Sequence, residues 1–202
     1  MGQPVHIAVA YHTVKGHTGR CADAVFVGAK GVPDTEVNLV RIDEMGRDEW
    51  RTLDSADAII FGTPTLMGSA SASFHAFAES SSRRWMTGAW RDKLAAGFTN
   101  SSAKAGDKSS TLGYLVTFAA QHGMIWVSLG LPPGWNSSKG SEHDLNRLGF
   151  WTGAAAQSNL DEPAAAVPEA DLRTAEHLGR RVAEYARIVA AGRRAASLVG
   201  SE

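Results

Sequence analysis

Five short apolar runs, each followed by a segment of helical spacing, constrain the fold of this chain more than any other feature. They are 5–10 (Val-His-Ile-Ala-Val-Ala), 37–42, 58–62 (Ala-Ile-Ile-Phe-Gly), 94–98 and 124–129. Runs this short and this continuously apolar are the pattern of strands covered on both faces. Parallel strands need crossover connections, and the intervening segments supply them. Ala22, Val25, Phe26 and Ala29 recur at helical spacing before a stop at Gly31 and Pro33, and a helical or irregular link surrounds Trp50 and Leu53. Phe74, Phe77 and Ala78 mark a further helix, as do Leu112, Leu115, Val116 and Ala119. A closing helix over 169–195 carries Leu172, Ala175, Leu178, Val182, Tyr185 and Val189 on one face and arginines on the other. The expectation is a doubly wound α/β fold, one domain over 1–202. Only 131–168 breaks the alternation, a stretch with glycines and prolines far longer than the usual ~4–6 residue connection. Because it follows the fifth strand, it is expected at the sheet edge where ligands bind.

Composition narrows the function. The chain has 202 residues, 44% hydrophobic and 20% charged, enough for a core without disulfides or a structural metal. Its single cysteine, Cys21, has no partner for a bridge and falls beside the apolar face of the first helix, where it reads as packing. A formal charge of -1 offers no field for nucleic acid or anionic lipid, and no run approaches the ~20 apolar residues of a membrane span. The N-terminal residues lack the pattern of a signal peptide, so a cytoplasmic protein is expected.

In open α/β sheets the ligand crevice lies beyond the carboxyl ends of the strands. Three polar loops fall at such ends, over 13–18, 64–68 and 99–106. The first leads into a helix whose free N–H groups and positive dipole end suit a phosphate, with the hydroxyls of Thr13 and Thr18 as further donors. An N-cap with nothing bound is its plainer reading. The chain carries neither a Walker loop nor Gly-x-Gly-x-x-Gly after the first strand, which disfavours an NTPase and a Rossmann dehydrogenase. It has no Gly-x-Ser-x-Gly elbow, and its seven histidines show no paired ligand spacing, so neither a hydrolase nor a catalytic metal is expected.

Four segments in order resemble the flavodoxin-like NAD(P)H:quinone oxidoreductases of the WrbA type. They are Tyr-His-Thr-Val-Lys-Gly-His-Thr over 11–18, Ile-Ile-Phe-Gly-Thr-Pro-Thr-Leu-Met-Gly over 59–68, Trp-Met-Thr-Gly-Ala-Trp-Arg-Asp-Lys-Leu over 85–94, and Gln-His-Gly-Met over 121–124. The resemblance implies a three-layer sandwich whose five-stranded parallel sheet has the order 2-1-3-4-5, with a non-covalently held FMN at the ends of strands one, three and four. Thr13, Val14, Lys15, Gly16, His17 and Thr18 would wrap the phosphate. Pro64, Thr65, Leu66, Met67 and Gly68 would line the isoalloxazine, and Asn100, Ser101, Ser102, Ala103, Lys104, Ala105 and Gly106 would reach its polar edge. Trp85, Gln121 and His122 become the candidate catalytic residues of a substrate pocket over the flavin, in which the family's tryptophan often comes from a neighbouring subunit.

The chain departs from the family pattern at several of these positions. Thr13 stands for a serine, Lys15 for an aromatic, Leu66-Met67 for Arg-Phe, Gln121 for a histidine, and 102–106 keeps one glycine of a glycine-rich loop. Lys15 reads as a partner for a phosphate or as a solvated cation. Gln121 still donates a hydrogen bond but carries no charge near neutral pH. Trp135 and Trp151, in the long segment, suit a stacking surface or a subunit interface.

The resemblance thus implies an FMN-dependent oxidoreductase, with NADH or NADPH as reductant, a quinone-like acceptor and a homodimer or homotetramer. The alternatives are an NAD(P)H:FMN reductase supplying reduced flavin to a partner, a flavodoxin-type electron carrier, and a flavin-free scaffold. Carriers of this fold tend to be strongly acidic, and the near-neutral charge favours the enzyme.

Overall fold

The computed structural model describes residues 4–199. Its elements are β1 (Val5–Tyr11), α1 (His17–Lys30), β2 (Thr35–Arg41), α2 (Arg47–Ser55), β3 (Ala58–Leu66), β4 (Ser69–Ala70), α3 (Ala72–Ser80), α4 (Ser82–Thr87), β5 (Leu94–Ser101), α5 (Lys108–Gln121), β6 (Ile125–Trp126), β7 (Ala154–Gln157) and α6 (Glu169–Val199). The main sheet runs β2-β1-β3-β5-β6, all parallel, which is the expected order once the small strand β4 is set aside.

Each central strand is buried on both faces because its apolar side chains alternate between two cores. Val5, Ile7, Val9, Ile60 and Phe98 pack under α1 and α6. Ala8, Ala10, Ile59 and Phe61 face the opposite layer, where Phe61, Phe74, Phe77, Trp90 and Phe118 form one aromatic cluster. The small alanines of β1 leave room on that side for the rings. On the other side α1 and α6 cross in backbone contact. A methyl group on Gly28 would sit 1.9 Å from the Glu176 carbonyl oxygen, and one on Gly179 would sit 2.0 Å from that of Val25.

Two expectations need correction. The stretch after the third apolar run is not an open loop, since β3 continues to Leu66 and β4 folds back on it, pairing Thr65 with Ala70 and Leu66 with Ser69. Met67 and Gly68 form the turn with φ of 49° and 84°, the two positive values that match hairpin twist.

The fifth strand is also not continuous over 124–129. β6 pairs only with Leu94 and Ala95, and the rest of the β5 edge, Phe98 to Ser101, is taken by β7. Val127 and Leu129 are buried by side-chain packing, while the backbone peels away and the Leu129 N–H donates to the Trp151 carbonyl at 3.1 Å. The Trp126 indole N–H donates to the Thr152 carbonyl at 2.8 Å and ties the departing chain to the returning one. The long segment therefore interrupts the fifth strand, and its return stretch, Ala154–Gln157, belongs to the sheet. That return strand carries three alanines, a residue depleted in strands, so it left little signal in the sequence.

Candidate functional site

At the carboxyl end of β1 the chain turns into α1 through Gly16, whose φ of 88° places it in the left-handed region. No side chain among the described residues caps the helix. The Thr13 hydroxyl instead accepts the Gly16 N–H at 3.1 Å, closing the turn one residue earlier. Among the described residues, the N–H groups of His17, Thr18 and Gly19 find no acceptor. The Thr18 side chain is only 2% exposed, yet its hydroxyl makes no hydrogen bond within the described chain. Free N–H groups at a helix start, a hydroxyl on the cleft wall without a partner among the described residues and the positive dipole end together fit a phosphate.

This loop forms one wall of an open cleft of about 550 Å³. Thr13, Val14, Lys15, His17 and Thr18 line it together with Pro64, Thr65 and Leu66 from β3 and with Asn100, Ser101 and Ser102 from β5 and the turn beyond it. Ser158 and Leu160, from the return of the long segment, complete it. The three loops singled out from the sequence thus converge on one cleft.

Ser158 and Leu160 were missed because nothing in the sequence indicates that the long segment re-enters the sheet before reaching them. They are held firmly. Asn100 Nδ2 donates to Ser158 Oγ at 3.0 Å, and the Ser158 hydroxyl lies 3.2 Å from Asn100 Oδ1. Lys15 Nζ donates to the Leu160 carbonyl at 3.3 Å, and His17 Nε2 lies 2.9 Å from the Glu162 carbonyl. Lys15, an exposed cation at the cleft rim, is therefore tethered to the opposite wall. His12, buried at the foot of the same loop, has its Nδ1 2.8 Å from Ser71 Oγ, which is 3.1 Å from Thr63 Oγ1. Burial pushes its pKa down. The Thr65 hydroxyl lies 2.8 Å from those of Thr99 and Thr111, joining β3, β5 and α5 from within rather than standing free for a ligand.

Other expected residues lie elsewhere. Met67 is fully exposed at the hairpin tip, and neither it nor Gly68 lines the cleft. Ala103, Lys104, Ala105 and Gly106 turn back toward α5, with Lys104 and Ala105 on the border of a second, wider groove that also holds Trp135 and Trp151. Trp85, Gln121 and His122 do come together, but in another depression with Ser81, Tyr114 and Phe118. Gln121 and His122 end α5, whereas the 99–106 loop precedes it, and fourteen helical residues carry them to the other end of the sheet. Within one chain, then, Trp85, Gln121 and His122 stand apart from the cleft.

His122 is a core residue, 6% exposed, with ring centroids 4.5 Å from Trp90 and 4.9 Å from Phe118. The Ser81 hydroxyl donates to the Ala78 carbonyl at 2.7 Å, so His122 Nε2, 2.9 Å away, is the donor of their shared bond. Its Nδ1 lone pair is left buried and unpaired, and desolvation lowers the His122 pKa to about 4. Trp85 is 57% exposed, with Met86 beside it also exposed.

The parallel sheet with its anion-receptive turn after β1 and its crevice at the strand ends defines a flavodoxin-like protein. Comparison with known proteins makes this specific. Residues 27–131 match the family model for NADPH-dependent FMN reductase. A protein of Pseudomonas aeruginosa named flavodoxin FldP is 44% identical over 178 residues, covering 87% of this chain and 93% of its own. An NAD(P)H dehydrogenase (quinone) of Archaeoglobus fulgidus is 34% identical over 202 aligned residues, covering 89% of this chain and 96% of its own. The crystal structure of the flavodoxin, WrbA-like protein from Agrobacterium tumefaciens superposes with a TM-score of 0.71 at 40% identity, over 91% of this chain and 98% of that one. The chain belongs to the flavodoxin-like family of FMN reductases and NAD(P)H quinone dehydrogenases.

Proposed function

We propose that the protein is an FMN-dependent oxidoreductase that takes electrons from NADH or NADPH and passes them to a quinone-like acceptor. The observation that carries this reading is the unsatisfied donor set at the start of α1, with the Thr18 hydroxyl, which has no partner among the described residues, on the wall of the cleft where the three strand-end loops meet. FMN bound there would supply acceptance of hydride from a nicotinamide and its delivery to the acceptor, in two half-reactions.

The chain's own residues have the work of holding and shielding. The N–H groups of His17, Thr18 and Gly19 with the Thr18 hydroxyl would hold the phosphate, and Lys15 would add charge at the rim. Pro64, Thr65 and Leu66 on one side, and Asn100, Ser101 and Ser102 on the other, would flank the ring. Leu66 and the β3–β4 turn place apolar, uncharged surface where relatives of the WrbA type have an arginine. Ser158 and Leu160 would close the cleft from the long segment. Trp85, Gln121 and His122 would take part only if a second copy of the chain brought that face over the cleft, which is the role we assign to a homodimer or homotetramer. Burial of His122 among aromatic rings, with its pKa pushed down to about 4, supports a packing role for it.

A second reading is an electron carrier, favoured by the 44% identity to a protein named flavodoxin. Against it stands the formal charge of -1, far from the strong acidity that carriers of this fold tend to have. Mixing the FMN-loaded protein anaerobically with NADPH or NADH, and then with a benzoquinone, separates the two. Bleaching of the flavin absorbance by nicotinamide and its recovery with quinone are expected. Flavin that stays bound and oxidised in the presence of both nucleotides would favour the carrier.

A further inference from the structure

Lys108 opens α5 directly behind the 102–107 turn, and its side chain is 0% exposed. Among the described residues the ammonium faces no carboxylate within bonding distance. It donates instead to three successive backbone carbonyls, those of Ala103 at 2.6 Å, Lys104 at 3.0 Å and Ala105 at 3.5 Å. The carbonyl before them, that of Ser102, accepts from Gln157 Nε2 at 2.9 Å. Four consecutive carbonyls are thus drawn toward the body of the protein by buried or anchored donors.

Peptide planarity fixes the consequence. In a trans peptide the C=O of one residue and the N–H of the next point in opposite directions, and no peptide in the described chain is cis. Carbonyls of 102–105 held inward therefore turn the N–H groups of 103–106 outward. None of these N–H groups has an acceptor among the described residues. The turn closes through Gly106 and Asp107, with φ of 53° and 55°. A methyl group on Gly106 would sit 2.1 Å from Ser101 Oγ, so the one glycine kept in this loop is the one that the geometry requires.

We propose that Lys108 is a positioning residue for the flavin site. It replaces the flexibility of a glycine-rich loop with a fixed backbone, drawing the loop carbonyls inward so that a row of N–H donors follows on from Ser102 at the cleft border, where the polar edge of an isoalloxazine extending past that border would meet them. This rests on the FMN reading above. It explains how Ala103, Lys104 and Ala105 occupy a loop that in the resembling family is nearly all glycine. Their side chains are carried on a backbone whose inner face is already satisfied.

The charged groups bearing on the ammonium are Asp171 at the start of α6, which favours its protonated form, and Arg147 of the long segment, which opposes it. Those two are paired with each other, and burial dominates, lowering the Lys108 pKa to about 8. The pinning is therefore strongest at neutral pH and weakens as the ammonium gives up its charge and one of its three donors in mildly alkaline solution.

The test is made with wild type and Lys108→Met, which keeps the length of the side chain without its charge. FMN affinity is measured from pH 7 to 9 by quenching of flavin fluorescence, a range in which a phosphate monoester, with a second pKa of about 6, does not titrate. In parallel the backbone amide resonances of 103–106 are followed over the same range in the ligand-free protein. Lys108→Met should bind FMN about tenfold more weakly at pH 7. Wild-type affinity should fall toward the mutant value near pH 9, with the ligand-free amides of 103–106 shifting about a midpoint near 8 and showing no such titration in the mutant. Equal FMN affinity in the two proteins with a flat wild-type profile would overturn the proposal while leaving FMN binding intact. A wild-type protein that binds no FMN would overturn the cofactor reading, and the positioning role with it, whatever the amides do.

Discussion

Arg147 and Asp171 form a bidentate ion pair, Nε to Oδ1 and Nη2 to Oδ2 both at 2.8 Å, with side chains only 5% and 2% exposed. The pair joins the middle of the long segment to the start of α6. Asp171 Oδ2 also accepts the Gln157 N–H at 3.0 Å, at the end of β7 and one residue before Ser158 of the cleft. One carboxylate thus fixes both the course of the inserted segment and the wall it contributes to the site.

Asp171→Ala leaves a guanidinium buried without its partner and a backbone donor without its acceptor. The expected cost is about 3–5 kcal/mol of unfolding free energy, read from urea denaturation. A loss below about 1 kcal/mol would show that the segment is held by other contacts.

Thr18→Val replaces a hydroxyl by an isosteric methyl where the described residues offer that hydroxyl no partner. The thermal midpoint without FMN should be unchanged, whereas the FMN dissociation constant should rise about tenfold. Calorimetric titration of both proteins checks this, and an unchanged constant would remove Thr18 from the phosphate site.

The strands and helices were legible because buried parallel strands leave continuous apolar runs, as in 58–62, and helices leave periodic ones, whereas the strand order came from the family resemblance. The first loop was legible because its polar residues follow such a run. Ser158 and Leu160 were not, since their place depends on the Ala-Ala-Ala-Gln strand that leaves the long segment to pair with β5, and alanine carries no strand signal. His122 misled for a different reason. A sequence places it beside Gln121 but does not say that α5 carries both away from the cleft, or that Trp90 and Phe118 enclose the ring.

Enclosure of His122 has a pH signature. Its folded pKa of about 4 lies below the unfolded value near 6.5, so the unfolded chain takes up more protons between those limits. Stability should therefore be full above pH 6.5 and fall by roughly 3 kcal/mol as the pH drops to 4. His12 and His177, also lowered by burial, act in the same direction. In His122→Phe the decline should shrink without vanishing. Parallel urea curves for the two proteins at pH 7, 5.5 and 4.5 measure the difference, and identical slopes would mean that His122 is charged in the fold.

Cys21 is packed between α1 and the sheet, and burial pushes its thiol up to about 12. The native protein should give no reaction with an aromatic disulfide reagent at pH 8, and one equivalent after denaturation. Rapid reaction in the native state would place the thiol at an accessible surface.

The most direct test of the central claim is a pair of binding isotherms, FMN and riboflavin, each titrated against the purified protein at pH 7. The donor set at the start of α1 engages only the phosphate, so FMN should bind at least about a hundredfold more tightly than riboflavin. Equal affinities, or no binding of FMN, would contradict the assignment of this cleft as a flavin mononucleotide site.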